Sequence, residues 1–105
     1  AGAETFLSMD TLPEAILAIN DPVAVGAYVR FKEAGVRIPQ DVALVGFSDT
    51  PAAALLAPPL TTVFQPAHQM GKTAFALLME ELEKADRFEP RTVILPTELI
   101  VRGSS

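Results

Sequence analysis

Two short runs, Ala15-Ile16-Leu17-Ala18-Ile19 and Val42-Ala43-Leu44-Val45-Gly46-Phe47, place apolar side chains on both faces of an extended backbone. Strands of this kind need cover above and below, and a parallel sheet clothed by helices supplies it. Helical patterns separate the runs. Val23, Ala27, Phe31 and Ala34 fall on one stripe that Asn20-Asp21-Pro22 opens and Gly35 stops. A third run, Thr61-Thr62-Val63-Phe64, ends at Gln65-Pro66. Met70, Ala74, Leu77, Leu78 and Leu82 then mark a long amphipathic helix over 68–84, with Glu80, Glu81, Glu83 and Lys84 largely toward water. A first helix is expected over Glu4 to Leu12 and a short apolar one through Leu55 and Leu56. Arg91 to Leu95 and Glu98 to Val101 read as further β-like runs joined across Pro96-Thr97. Alternation of this kind predicts a three-layer α/β/α arrangement built on a parallel sheet.

Composition removes several functions. Thirteen acids against eight bases give a net charge of −5, the wrong sign for a surface that neutralises nucleic-acid phosphates. With no Cys and one His there is no disulfide framework and no zinc ligand set, so neither metal nor cofactor is expected. The longest uncharged run, Thr50 to Ala67, is broken by Pro51, Pro58, Pro59 and Pro66, so no membrane span is expected. The opening Ala1-Gly2-Ala3-Glu4 has neither an initiator Met nor a signal-peptide pattern, which suggests a piece of a longer, cytoplasmic product.

In open parallel sheets ligands gather outside the carboxyl ends of the strands. That rule selects Asn20 and Asp21 after the first run, Ser48 and Asp49 after the second and Gln65 after the third. Amide, hydroxyl and carboxylate groups at one edge suit a polar, polyhydroxylated small molecule. Asn20, Asp21 and Asp49 are also ordinary capping or turn residues, whereas Gln65 has no local cap to make. His68 stands without a nucleophile or a carboxylate at a telling spacing, the glycines form no phosphate loop, and no catalytic set emerges. Val25 and Val29 lie away from the Val23-Ala27-Phe31 stripe and, with Leu55 and Leu56, form an apolar patch suited either to an isologous dimer or to burial in a larger domain.

Several segments in order carry a resemblance. They are Pro13-Glu14-Ala15-Ile16 leading to Ala18-Ile19-Asn20-Asp21, Ala34-Gly35-Val36-Arg37-Ile38-Pro39-Gln40-Asp41-Val42, and Val45-Gly46-Phe47-Ser48-Asp49. Pro58-Pro59-Leu60-Thr61-Thr62-Val63 with Gln65-Pro66, Met70-Gly71 and the closing Glu98-Leu99-Ile100-Val101-Arg102 follow. Over nearly its whole length the chain resembles the C-terminal part of the effector-binding core of the lactose-repressor/galactose-repressor transcription regulators. The resemblance implies an incomplete type I periplasmic-binding-protein-like fold. Residues 1–64 would belong mainly to the C-terminal subdomain, 65–95 to a crossover with a helix and strand of the N-terminal subdomain, and 96–105 to a returning strand.

It further implies an effector, a sugar or similar polar molecule, bound by Asn20 and Gln65. Many relatives carry Asp where Ser48 stands, a departure that leaves Asp49 as the nearby carboxylate. Val25, Leu55 and Leu56 match positions of a homodimer interface, with element exchange between copies a further expectation. Operator DNA would be met only through a separate N-terminal helix-turn-helix domain that this chain lacks. A solute-binding protein of a sugar transporter and an α/β enzyme piece are the competing readings.

Overall fold

A computed structural model describes residues 2–105. In chain order the elements are α1 (Gly2–Leu7), β1 (Ala15–Leu17), α2 (Asp21–Glu33), β2 (Ala43–Val45), α3 (Pro51–Leu55), β3 (Thr62–Phe64), α4 (Ala67–Lys84), a 3-10 turn (Ala85–Arg87) and β4 (Glu98–Ile100). They divide into two compact units. The first ends at Phe64 and resumes over Glu98–Ser105, and the second is Gln65–Thr97.

In the first unit β1 and β2 pair in parallel, Ile16 opposite Leu44. β3 joins β2 through a parallel bridge from Val45 to Thr61 and through the Gly46 and Ser48 amides, which donate to the Thr61 and Val63 carbonyls at 2.9 and 2.8 Å. β4 then runs antiparallel to β3, Thr62 opposite Ile100. The expected parallel pairing is thus present in β1 and β2, and the returning β4 adds an antiparallel neighbour to β3. The tail closes the sheet. Buried Ser104 accepts from the Leu44 amide at its carbonyl (2.8 Å), while its Oγ accepts from the Thr61 amide (2.8 Å) and donates to the Leu44 carbonyl (2.5 Å).

α2 begins where the sequence places it, with Asn20 Oδ1 accepting from the Val23 amide at 2.9 Å, and it stops before Gly35, whose φ of 75° suits glycine. Its buried face differs from the expected stripe. Asp21, Ala24, Tyr28 and Phe31 are buried, while Val23 and Ala34 are exposed. These four positions follow the i, i+3, i+7, i+10 spacing of one helical face, and its first member is a carboxylate that an apolar pattern overlooks. Phe31, Leu44, Val42 and Leu60 are the fully enclosed large apolar side chains of the core, and Ala3, Phe6 and Leu7 of α1 pack against it. α1 ends at Leu7 rather than near Leu12, as Ser8 turns its hydroxyl onto the Thr5 carbonyl at 2.8 Å.

On the other face of β1, Leu17 and Ile19 are 71% and 82% exposed, so the expected second helical layer does not cover them among the described residues. In the second unit α4 turns Thr73 and Leu77 toward a groove shared with Val93 and Leu95. Residues 91–95 are not a strand, since no neighbour among the described residues supplies a ladder. Glu80 is less wet than expected: Arg91 and Lys84 bond its carboxyl and hold it down at about 2.

Two outcomes follow. A Cβ on Gly46 would sit 2.2 Å from Asp21 Oδ1 and 2.9 Å from Leu60 Cδ2, so Gly46→Ala should cost about 1–3 kcal/mol in urea denaturation. Glu80 titrates lower folded than its ordinary 4.5, so its contribution is present above that pH and is lost as pH falls toward 2. In a carboxyl NMR titration Arg91→Ala should raise the Glu80 midpoint, and an unmoved midpoint would contradict the pairing.

Candidate functional site

Three segments of the first unit meet where β1 and β2 end and β3 begins, and the buried Asp21 carboxylate joins them. Its Oδ2 accepts from the Thr50 amide at 2.6 Å and from Thr50 Oγ1 at 3.1 Å, and its Oδ1 accepts from Thr62 Oγ1 at 2.6 Å. The Asp21 amide donates to the Phe47 carbonyl at 2.9 Å. Thr62 Oγ1 in turn accepts from the Asp49 amide at 3.3 Å. A buried carboxylate must be well supplied with donors, and three converge here.

The turn after β2 is strained. Ser48 and Asp49 have φ of 114° and 49°, in the left-handed region that side-chain-bearing residues rarely adopt. Consecutive residues of this kind cost about 1–3 kcal/mol each and persist only where the surroundings hold them. The holding bonds are visible: the amides of Ser48, Asp49 and Thr50 donate to the Val63 carbonyl, Thr62 Oγ1 and Asp21 Oδ2. Asp49 Oδ1 also accepts from Arg102 Nη2 at 2.8 Å.

The expected site residues divide accordingly. Asn20 precedes Asp21, whose amide and carboxylate bond Phe47 and Thr50 on either side of Ser48 and Asp49, and Asn20 Oδ1 itself serves the helix cap. Asp21 is fully buried with both oxygens accepting from Thr50 and Thr62, so its carboxylate joins the segments of this edge and does not stand open to solvent. Gln65 opens the second unit, where with Pro66, Met70, Thr73, Leu77 and Val93 it lines a groove of about 280 Å³. Of the expected dimer patch, Val29 and Leu55 are 47% and 83% exposed and Val25 is half-buried, whereas Leu56 packs against the core. Thr50, Thr62, Arg102 and Ser104 were given no role by the sequence.

The edge offers an amide, a hydroxyl and a carboxylate already paired with a guanidinium, a set suited to reversible hydrogen bonding of a small polar molecule. Among the described residues no group of three metal-capable side chains gathers, and no helix is long and apolar enough to cross a membrane.

Residues 1–105 match the family model of the periplasmic binding protein-like domain. The chain belongs to this family. It is 43% identical over 103 residues to a lactose operon repressor of Rhizobium radiobacter, covering 98% of this chain and 89% of that sequence. Among solved structures it is similar to a LacI-family transcriptional regulator from Enterococcus faecalis V583 with bound ribose (TM-score 0.83, 36% identity). A lac repressor dimer bound to operator and an anti-inducer is similar too (TM-score 0.87, 30% identity). Each structural match covers 99% of this chain but only 38% and 36% of the respective structure, so the chain spans little more than a third of those regulators. These relatives place it with the lactose-repressor-like regulators rather than with transport proteins.

Asp21→Ala leaves three donors unmet in the interior of this periplasmic-binding-protein-like unit and should cost about 3 kcal/mol in urea denaturation. Asn20→Ala removes one exposed cap and should cost about 1 kcal/mol. Equal losses would contradict the central place given to Asp21.

Proposed function

We propose that the chain is the effector-sensing and dimerising portion of a bacterial DNA-binding transcriptional repressor. The observation that carries this reading is the strained polar edge of Asn20, Ser48 and Asp49, present in a chain whose ribose-bound relative is a transcriptional regulator. The effector is a sugar or a similar polar molecule. Asn20 and Ser48 contact it directly, Asp49 does so through the oxygen that Arg102 leaves uncovered, and Gln65 contributes from the crossover. The first unit corresponds to the C-terminal subdomain, the second to part of the N-terminal one, and Glu98–Ser105 to the returning strand. Val25, Val29 and Leu55 form the patch that pairs with a second copy, in keeping with the dimeric lac repressor relative. Operator DNA is met by a separate domain of the full-length protein, in accord with the acidic charge of this chain. The work takes place in the cytoplasm and involves no covalent chemistry. Effector binds one arrangement of the subdomains better than the other and so shifts the population that holds operator.

Isothermal titration of the full-length protein with ribose and lactose tests the site. Asn20→Ala and Gln65→Ala should each weaken sugar binding about tenfold or more, about 1.4 kcal/mol, while operator affinity without sugar stays unchanged. Unchanged titration curves would refute the assignments. Leu55→Asp should lower the mass seen in light scattering from dimer to monomer at micromolar concentration, and a persistent dimer would move the interface elsewhere.

A further inference from the structure

Arg102 lies two residues beyond the end of β4. The β3–β4 register sets Thr62 opposite Ile100, which brings Arg102 opposite Leu60, beneath the turn that follows β2. From there its guanidinium forks. Nη1 donates to the Leu60 carbonyl at 3.0 Å and Nη2 to Asp49 Oδ1 at 2.8 Å, with the side chains of the pair only 20% and 23% exposed. Its backbone amide is fixed as well, donating to Thr61 Oγ1 at 2.8 Å. Asp49 is the second of the two consecutive positive-φ residues, and Arg102 makes the ion pair that reaches this turn.

We propose that Arg102 is the positioning residue of the effector edge. It holds Asp49, and through it the strained Ser48–Asp49 backbone, in the conformation that presents both side chains to ligand. An arginine suits this task because a planar fork can grip a carboxylate and a carbonyl together, whereas an ammonium acts as a single point charge. The consequence for ligand rests on the effector reading given above; the hold on the turn does not.

The test uses the full-length protein with Arg102→Gln, Arg102→Lys, Asp49→Asn and the Arg102→Gln/Asp49→Asn double variant. Two readouts are followed: amide hydrogen exchange by mass spectrometry and titration with ribose and lactose. Arg102→Gln should speed exchange over residues 46–50 at least tenfold while residues 15–19 and 42–45 keep their rates. It should also weaken sugar binding at least fivefold, with no further loss in the Asp49→Asn background. Arg102→Lys, which keeps the charge but not the fork, should recover part of both effects and keeps the test usable if the Gln variant folds poorly. Exchange that rises evenly across the first unit, or exchange over 46–50 that does not change, would overturn the proposal. Sugar losses that simply add in the double variant would do the same. If the wild-type protein binds neither sugar, the exchange comparison still decides the role of Arg102, and it is the effector reading that fails.

Discussion

One buried carboxylate organises the first unit. Asp21 opens α2 and is fully buried with three donors around its carboxylate, so α2, the turn after β2 and the start of β3 must all arrive at the same point. The helix face is set by the same demand, since Ala24, Tyr28 and Phe31 follow Asp21 into the core. Gly46 is set by it too, because Asp21 Oδ1 occupies the space of a side chain there. A network of this kind stabilises only when every member is satisfied, and no buried side-chain polar atom among the described residues lacks a partner.

The strain next to that carboxylate gives the edge its functional character. A turn with Ser48 and Asp49 at positive φ relaxes unless several bonds oppose it, and here β3 and Asp21 each supply two and Arg102 one. Fixed polar groups lose little freedom when a ligand binds, which favours recognition by a small set of hydrogen bonds. The Arg102 contact also links the turn to the strand that returns from the second unit.

Much of this was legible in the sequence. The doubly apolar runs around Ile16 and Leu44 gave the parallel pair, and Asn20 and Gly35 bounded α2. What escaped notice had physical causes. The buried face of α2 was placed on the wrong stripe because its anchor is Asp21, and pattern reading assigns carboxylates to solvent. Thr62 and Arg102 gain their roles from neighbours 41 and 53 positions away, Asp21 and Asp49, and no local signal encodes such partners. Residues 91–95 have a strand-like composition, but a strand also needs a neighbour, and none among the described residues supplies one. Leu56, apolar at the end of the short α3, packs in part against the core, a contact its local sequence does not encode.

Under the proposed function, ligand binding at the Asn20–Asp49 edge governs a repressor's hold on DNA. The most direct measurement is fluorescence anisotropy of the full-length protein on a labelled duplex taken from upstream of its own gene, with ribose or lactose added stepwise. The account predicts binding of the duplex and a saturable, sugar-dependent change in that affinity of about tenfold or more, equivalent to about 1.4 kcal/mol of coupling. A protein that binds either sugar tightly and holds the duplex with the same affinity throughout would contradict it.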